Sequence, residues 1–396
     1  MLKNHILAVI SHYFPHVGGA EAHLAQISNA LTHYGYKITV LTTRQGDTPY
    51  QEVINDVNIY RFDNFSNGEE VGFLRIKKWI EFNNLENAIS YIFLNVGASN
   101  RRTEETIEIM TLLRTKGVPT LVRITSSGRV KKLAQVCPRG ISELKCASKV
   151  IALNQGIYEE LIDAGIKCQN IHSVPNGVDI NYFFPADEKR KIRIRHEKAK
   201  ANIECLDTDI IFFCPTRLDP KKKLFDLIDL WESMYSQVMI ESHIKLLIVG
   251  GRRDNLQDFM SLKDHVLSLN LGKTIILTPE VPHHEIASFF QMSDFYISLS
   301  SEEGMSNAML EALACGLPVI APDIPAVTDV VTHTVHGFVF SCLDVNTAQK
   351  SVLDALKLSR DEKSRICEAN TSLIHSRYNI DDVAKTFFNI FCELSL

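Results

Sequence analysis

The stretch SLSSEEGMSNAMLEALACGLPVIAPDIP, Ser298 to Pro325, decides the fold of this chain. An apolar run, Phe295-Tyr296-Ile297, feeds a polar turn. Ala308, Leu310, Ala312, Leu313 and Ala314 then recur at helical spacing until Gly316 and Pro318 stop the helix and a second apolar run begins at Val319. The pattern is strand, turn, helix, turn, strand. Glu302, Glu303 and Gly304 sit in the turn, and Met305, Ser306 and Asn307 lead into the helix. The free backbone N–H groups of a helix starting near Ser306 favour an anion such as phosphate there. Glu303 and Glu311 lie on either side of a seven-residue interval. One carboxylate therefore precedes the helix and the other stands about 1.5 turns inside it, so one can meet a sugar and the other a ribose.

Working outward, 396 residues exceed the ~250 to 300 at which single cores stop growing, so two domains are expected. Hydrophobic residues at 45% and charged ones at 22% belong to an ordinary folded chain rather than a disordered one. The net charge is −5. Through Ile180 there are 19 basic and 17 acidic residues, and 23 and 30 beyond it, a balance that excludes nucleic acid as the main partner. The nearly neutral first half leaves room for peripheral contact with a membrane or an anionic acceptor. Nine cysteines with no C-x-x-C pair point to a reducing, cytoplasmic setting, with no disulfide or zinc framework. The opening run Ile6 to Ile10 is too short for a signal-peptide core or a membrane span and reads as a first strand.

After that strand comes His12-Tyr13-Phe14-Pro15-His16-Val17-Gly18-Gly19, and Leu24, Ile27 and Leu31 follow at helical spacing. Gly18 and Gly19 at a helix entrance let a diphosphate approach the backbone. Further apolar runs at Val57 to Phe62, Tyr91 to Val96, Pro119 to Ile124, Lys149 to Leu153 and Ile171 to Val174 alternate with helical stretches, which argues a parallel sheet. The run Phe73 to Ile80 sets cations beside aromatic and aliphatic residues, either as a solvated helix edge or resting on a membrane interface. Asn176-Gly177 is a turn, and a domain boundary belongs there. We set the domains at 1–184 with 379–396, and 185–378. Asp207-Thr208-Asp209 reads as a solvated loop ahead of the strand Ile210 to Cys214, not as a metal motif. His283 and His284, adjacent at a helix start, cannot face one ion in the usual i, i+4 manner.

The segment Glu303 to Glu311 with the following Ala312-Leu313-Ala314-Cys315-Gly316-Leu317-Pro318-Val319-Ile320 resembles the E-x7-E motif of retaining nucleotide-sugar glycosyltransferases of family 4. Other stretches resemble that family in its own order. Phe14-Pro15 with Gly18-Gly19 and Glu21 is similar to its glycine loop, and Val174 to Asp179, with Asn176, to its inter-domain segment. Pro215 to Lys223 is similar to its Gly-Arg-Leu-x-x-x-Lys-Gly segment, with Arg217 and Lys222 at the phosphate-binding places and Thr216 and Lys223 where the family has glycine. Gly250-Gly251 resembles its second-domain glycine loop. Where family members commonly carry a histidine over the sugar, Thr125 stands here, followed by Ser126.

The resemblance implies a GT-B fold, with two doubly wound α/β domains facing across a cleft. It further implies transfer of a sugar, with retention, from a nucleoside-diphosphate sugar to a sugar, lipid-linked or protein-linked acceptor, in glycan, glycolipid or glycoconjugate synthesis. No cofactor and no metal are expected. Arg217 and Lys222 would hold the diphosphate, Glu303 the sugar and Glu311 the ribose. A nucleotide-sugar epimerase, a phosphorylase or a silent sugar-nucleotide-binding protein on the same architecture are the rival readings. The product separates them: a new glycoside, a free isomer, a sugar phosphate or none.

Overall fold

The computed structural model describes residues 4–15, 18–94, 96, 100–201, 203, 205–250, 256–342 and 344–396. The chain divides into two compact units, Met1–Gly177 with Ile380–Leu396, and Val178–Asn379.

The first unit holds β1 (His5–Val9), β2 (Lys37–Arg44), β3 (Gln51–Ile54), β4 (Val57–Asp63), the two-residue strands β5 (Phe65–Ser66) and β6 (Glu69–Glu70), β7 (Ala88–Leu94), β8 (Thr120–Ile124), β9 (Lys149–Ala152) and β10 (Ile171–Ser173). Its main sheet runs β10-β9-β8-β7-β1-β2-β4-β3, and β5 and β6 form a separate two-stranded sheet. All seven residues of β7 are buried, as a parallel strand with both faces covered demands. β3 alone in the main sheet is antiparallel, joined to β4 by Asn55 and Asp56 at φ 50° and 61°. Asn and Asp tolerate that left-handed backbone, which matches the twist of a two-residue hairpin. The terminal helix Ile380–Ser395 lays Val383, Phe387, Ile390 and Phe391 into this unit's core beside Tyr91 and Ile89. Gly177 faces the same helix: a Cβ there would stand 2.7 Å from the Ile380 backbone.

The second unit holds β11 (Ile210–Thr216), β12 (Ile244–Gly250), β13 (Ile275–Thr278), β14 (Phe295–Ile297), β15 (Val319–Pro322) and β16 (Gly337–Phe340). They form one parallel sheet in the order β13-β12-β11-β14-β15-β16. The chain starts in the middle, moves to one edge, then returns and builds toward the other. The order reverses between β11 and β14, the place where such sheets open a crevice at the carboxyl ends of their strands. Phe212 on β11 stacks on Phe295 of β14 at 4.6 Å and meets the buried Trp231 beneath them, anchoring that junction. The fold class is thus the double Rossmann-like α/β arrangement that the sequence implied.

Three local readings change. The run Phe73 to Ile80 lies in the helix Gly72–Phe82, whose Phe73, Ile76 and Ile80 are buried in the unit while Phe82 at its end is exposed. Lys77 on it donates to Glu108 at 2.7 Å. Asp207 to Asp209 is not simply solvated: Asp209 is buried, its carboxylate accepts from the Leu206 N–H at 2.8 Å, and its carbonyl accepts from the buried Arg195. The segment after Gly177 folds with the second unit, because the Val178 N–H donates to the Tyr378 carbonyl at 2.7 Å and Phe183 packs edge-on against Phe290.

Candidate active site

The carboxyl ends of β11 and β14 each run into a turn and then a helix, and the two turns touch. Beyond Thr216, Asp219 accepts from the Lys221 N–H at 3.0 Å and caps a short turn of 3-10 helix, Pro220–Lys222. Lys223 then takes a left-handed backbone, φ 49° and ψ 44°, and the helix Leu224–Ser236 begins. Beyond Ile297, the chain passes Ser298 to Met305, and Ser306 caps the helix Asn307–Ala314 by accepting from the Met309 N–H at 3.3 Å. Gly304 and Met305 are buried beneath this entrance, while Ser306 and Asn307 are half-buried.

Four contacts join the turns. The Ser301 N–H donates to the Lys221 carbonyl at 2.9 Å, and the Ser301 hydroxyl donates to the same oxygen at 3.3 Å. Lys221 pairs with Glu302 at 2.7 Å, and Lys222 donates to the Glu303 carboxylate. The Lys222–Glu303 pair is the more sheltered, with 22% and 15% of those side chains exposed against 40% and 38% for Lys221 and Glu302. Arg217, at the same strand end, is exposed; its carbonyl accepts from the Asp219 N–H at 2.9 Å, and its guanidinium makes no hydrogen bond or ion pair among the described residues. An unengaged guanidinium next to a lysine and a helix entrance is a ready anion site.

Glu311 stands in the following helix, and its carboxyl makes no hydrogen bond or ion pair among the described residues. Burial pushes its carboxyl up to about 8, near Cys315 and Tyr182. A desolvated carboxyl without a donor will gain from a hydroxyl-bearing ligand. On the neighbouring strand Tyr296 is fully buried, bonded to Ser306 and Ser298, and its phenol is raised above the ordinary range by burial. It ties β14 to the helix entrance.

Close packing sets the spacing. Gly250, the last residue of β12, stands beside Thr216, and a Cβ on it would lie 1.5 Å from the Thr216 carbonyl oxygen. Gly251 lies outside the described residues.

The candidates of the first unit are placed differently. Gly18 is buried with an extended backbone, φ −126°, and precedes the helix Gly19–His33, whose entrance has no side-chain cap. Thr125 and Ser126 are half-buried beyond β8, Thr125 donating to the Leu94 carbonyl at 3.5 Å. Asn176 is buried, and its side-chain oxygen accepts from the fully buried Arg123, so its contact is internal. Sequence reasoning missed Lys221, Ser301, Glu302 and Tyr296. The sequence shows three consecutive lysines and two consecutive glutamates, but only the fold brings Lys221 and Glu302 together.

Cations and carboxylates thus gather at the switch point of a parallel doubly wound sheet, the place where such sheets bind ligands. The family described as "Glycosyl transferases group 1" matches residues 196–372, which span this site. Over 394 residues the chain is 21% identical to the phosphatidylinositol N-acetylglucosaminyltransferase GPI3 subunit of Saccharomyces cerevisiae, covering 97% of this chain and 81% of that protein. It is 26% identical to the UDP-Gal:alpha-D-GlcNAc-diphosphoundecaprenol alpha-1,3-galactosyltransferase of Escherichia coli, over 55% of this chain and 53% of that one. The structure of Anabaena Alr3699/HepE in complex with UDP and glucose superposes with a TM-score of 0.76 at 16% identity, covering 98% of this chain and 99% of that one. The chain is a glycosyltransferase of GT-B fold, and its segment 196–372 matches the group 1 glycosyl transferases.

Proposed function

We propose that this glycosyltransferase is a retaining, metal-independent member of family 4 that moves a sugar from a nucleoside-diphosphate sugar to a lipid-borne acceptor hydroxyl. The observation that carries the donor reading is the switch-point cluster: the exposed Arg217 guanidinium beside the Lys222–Glu303 pair, and the Glu311 carboxyl on the next helix, the guanidinium and this carboxyl both unpaired among the described residues. Arg217, Lys222 and the N–H groups at the Asn307 helix entrance hold the diphosphate. Glu311 accepts from ribose hydroxyls, and Glu303 orients the sugar.

The chemistry is charge stabilisation. The bond from the anomeric carbon to the diphosphate oxygen breaks, and the acceptor oxygen bonds to that carbon from the same face. The acceptor proton passes to the departing diphosphate, so no protein nucleophile is required. Lys222 connects both halves of this step, pairing with Glu303 on the sugar side and neutralising phosphate on the other. Two cations in place of a metal support independence from divalent ions. The lipid-borne acceptor is supported by the two relatives whose names specify phosphatidylinositol and diphosphoundecaprenol acceptors. No helix among the described residues is long and apolar enough to cross a membrane, so contact with such an acceptor is peripheral in this reading.

The test is calorimetry on Arg217→Ala and Lys222→Ala with nucleoside diphosphate and with nucleoside. The diphosphate should lose ~1.5 to 3 kcal/mol and the nucleoside almost nothing, since the charge-assisted contacts exist only with phosphate. Transfer by the wild type should survive EDTA. Equal losses for both ligands, or activity that vanishes with chelator and returns with manganese, would overturn the assignment.

A further inference from the structure

Lys221 and Glu302 belong to neither motif arm that touches the donor in the proposed reading, yet they bridge the two turns that carry those arms. We infer that the Lys221–Glu302 pair, together with the Ser301 bonds to the Lys221 carbonyl, is a positioning latch that presets the separation of Lys222 and Glu303 before the donor arrives. This inference rests on the donor reading above.

The geometry gives the latch its role. Lys222 and Glu303 are each one residue along from a latch member, on opposite turns. A displacement of one turn against the other therefore changes their spacing directly. The two Ser301 bonds fix the backbone of one turn to the carbonyl of Lys221 at 2.9 and 3.3 Å, and the Lys221–Glu302 pair at 2.7 Å closes the outer side. The inner pair alone cannot perform this task through a catalytic cycle, because Lys222 must turn toward phosphate when donor binds and so loosens its hold on Glu303. The outer pair has no such second duty and can hold the turns while the inner one exchanges partners. Its members are more than a third exposed, so the link weakens with salt.

The experiment compares Lys221→Glu, Glu302→Lys and the double exchange, with Lys263→Glu, an exposed lysine on the helix Leu256–Ser268, as the control for net charge. Uridine diphosphate is the probe for binding, and kcat and KM are measured with the sugar nucleotide that the wild type turns over. Each single variant should weaken diphosphate binding about threefold and lower kcat/KM about tenfold, the larger loss falling on the step that needs both Lys222 and Glu303. The double exchange should restore both to within about twofold, and the control should match the wild type. Single variants equal to wild type, variants that lose thermal stability but keep kcat/KM, or a double exchange no better than the singles would each overturn the latch while leaving the donor reading standing. A wild type that binds no nucleoside diphosphate of any base overturns the donor reading and the latch with it.

Discussion

The two units repeat one architecture, and each carries on or beside a sheet strand an arginine that it treats in the opposite way. In the first, Arg123 on β8 is fully buried, donates to Asn176 and to the Tyr91 hydroxyl, and lies over the Phe93 ring. In the second, Arg217 at the end of β11 is exposed with its guanidinium unengaged among the described residues, and Lys222 pairs with the Glu303 carboxylate. A guanidinium taken from water and satisfied inside the protein contributes to the uniqueness of the core and has little left for a ligand. One left at a strand end keeps its donors for an anion. The same residue type thus serves folding in one sheet and, in the proposed reading, binding in the other, and the position on the strand decides which.

The largest effect expected from breaking this contrast comes from backbone spacing. Alanine at Gly250 would set its Cβ against the Thr216 carbonyl oxygen, and β11 and β12 are paired residue by residue up to that point, so neither can move away freely. Gly250→Ala should cost about 3 kcal/mol or more. Gly128 in the first unit also has a backbone that favours glycine, φ 77°, but nothing lies within 4 Å of a Cβ there. Gly128→Ala should cost only ~1 to 2 kcal/mol of backbone strain. Denaturant titration of both variants checks the ranking, and a Gly250→Ala protein as stable as the wild type would show that the strand ends are not locked together.

Next in size are the two glutamates. Glu311→Gln should weaken nucleoside diphosphate by ~1 to 3 kcal/mol, whereas Glu303→Gln should spare or tighten it, since Lys222 is then released toward phosphate, and should instead lower turnover. Stability should move the other way for Glu311. Its carboxyl is raised from 4.5 to about 8 by burial, so its stabilising contribution is complete below pH 4.5 and is lost as pH rises through about 8. Glu311→Gln removes that loss, and the variant should gain on the wild type steadily between about pH 5 and 9. Melting curves across that range decide the matter: a constant difference would mean that Glu311 is solvated.

How much of this was legible in the sequence depends on how local the signal was. The strand-turn-helix around Glu303 and the alternation of apolar runs specified both sheets, because parallel strands are short, continuous and hydrophobic. The β3–β4 hairpin escaped because Gln51 to Ile54 is an edge strand with exposed positions and no apolar run, and only Asn55-Asp56 announced it. At the site, Arg217, Lys222, Glu303 and Glu311 stood in recognisable spacings. The latch did not, since Lys221 and Glu302 are 81 residues apart and only the adjacency of β11 and β14 brings them together. At Asn176 the Asn-Gly pair announced a turn, but not that Arg123, distant in sequence, draws the side chain inward.

The smallest effect concerns Lys223, where the family pattern has glycine. Its φ of 49° is left-handed, so the turn keeps the backbone that glycine would adopt and a β-carbon is forced to accept it. That conformation costs a non-glycine residue ~1 to 2 kcal/mol, while glycine adds chain entropy to the unfolded state worth ~0.4 to 1 kcal/mol. The difference leaves Lys223→Gly more stable by about 0.5 kcal/mol. Its Leu227 N–H bond, made through the Lys223 carbonyl at 3.0 Å, survives the change. Diphosphate affinity should stay within about twofold if the ammonium takes no part in holding phosphate. Lys223→Ala separates the two contributions, because it removes the ammonium but keeps the strain. Glycine should raise the denaturation midpoint at unchanged slope and alanine should not. A glycine variant less stable than the wild type would mean that the lysine stem packs usefully on the turn. A shared loss of diphosphate affinity in both variants would instead add a third cation to the site of the second unit and widen its contrast with the first.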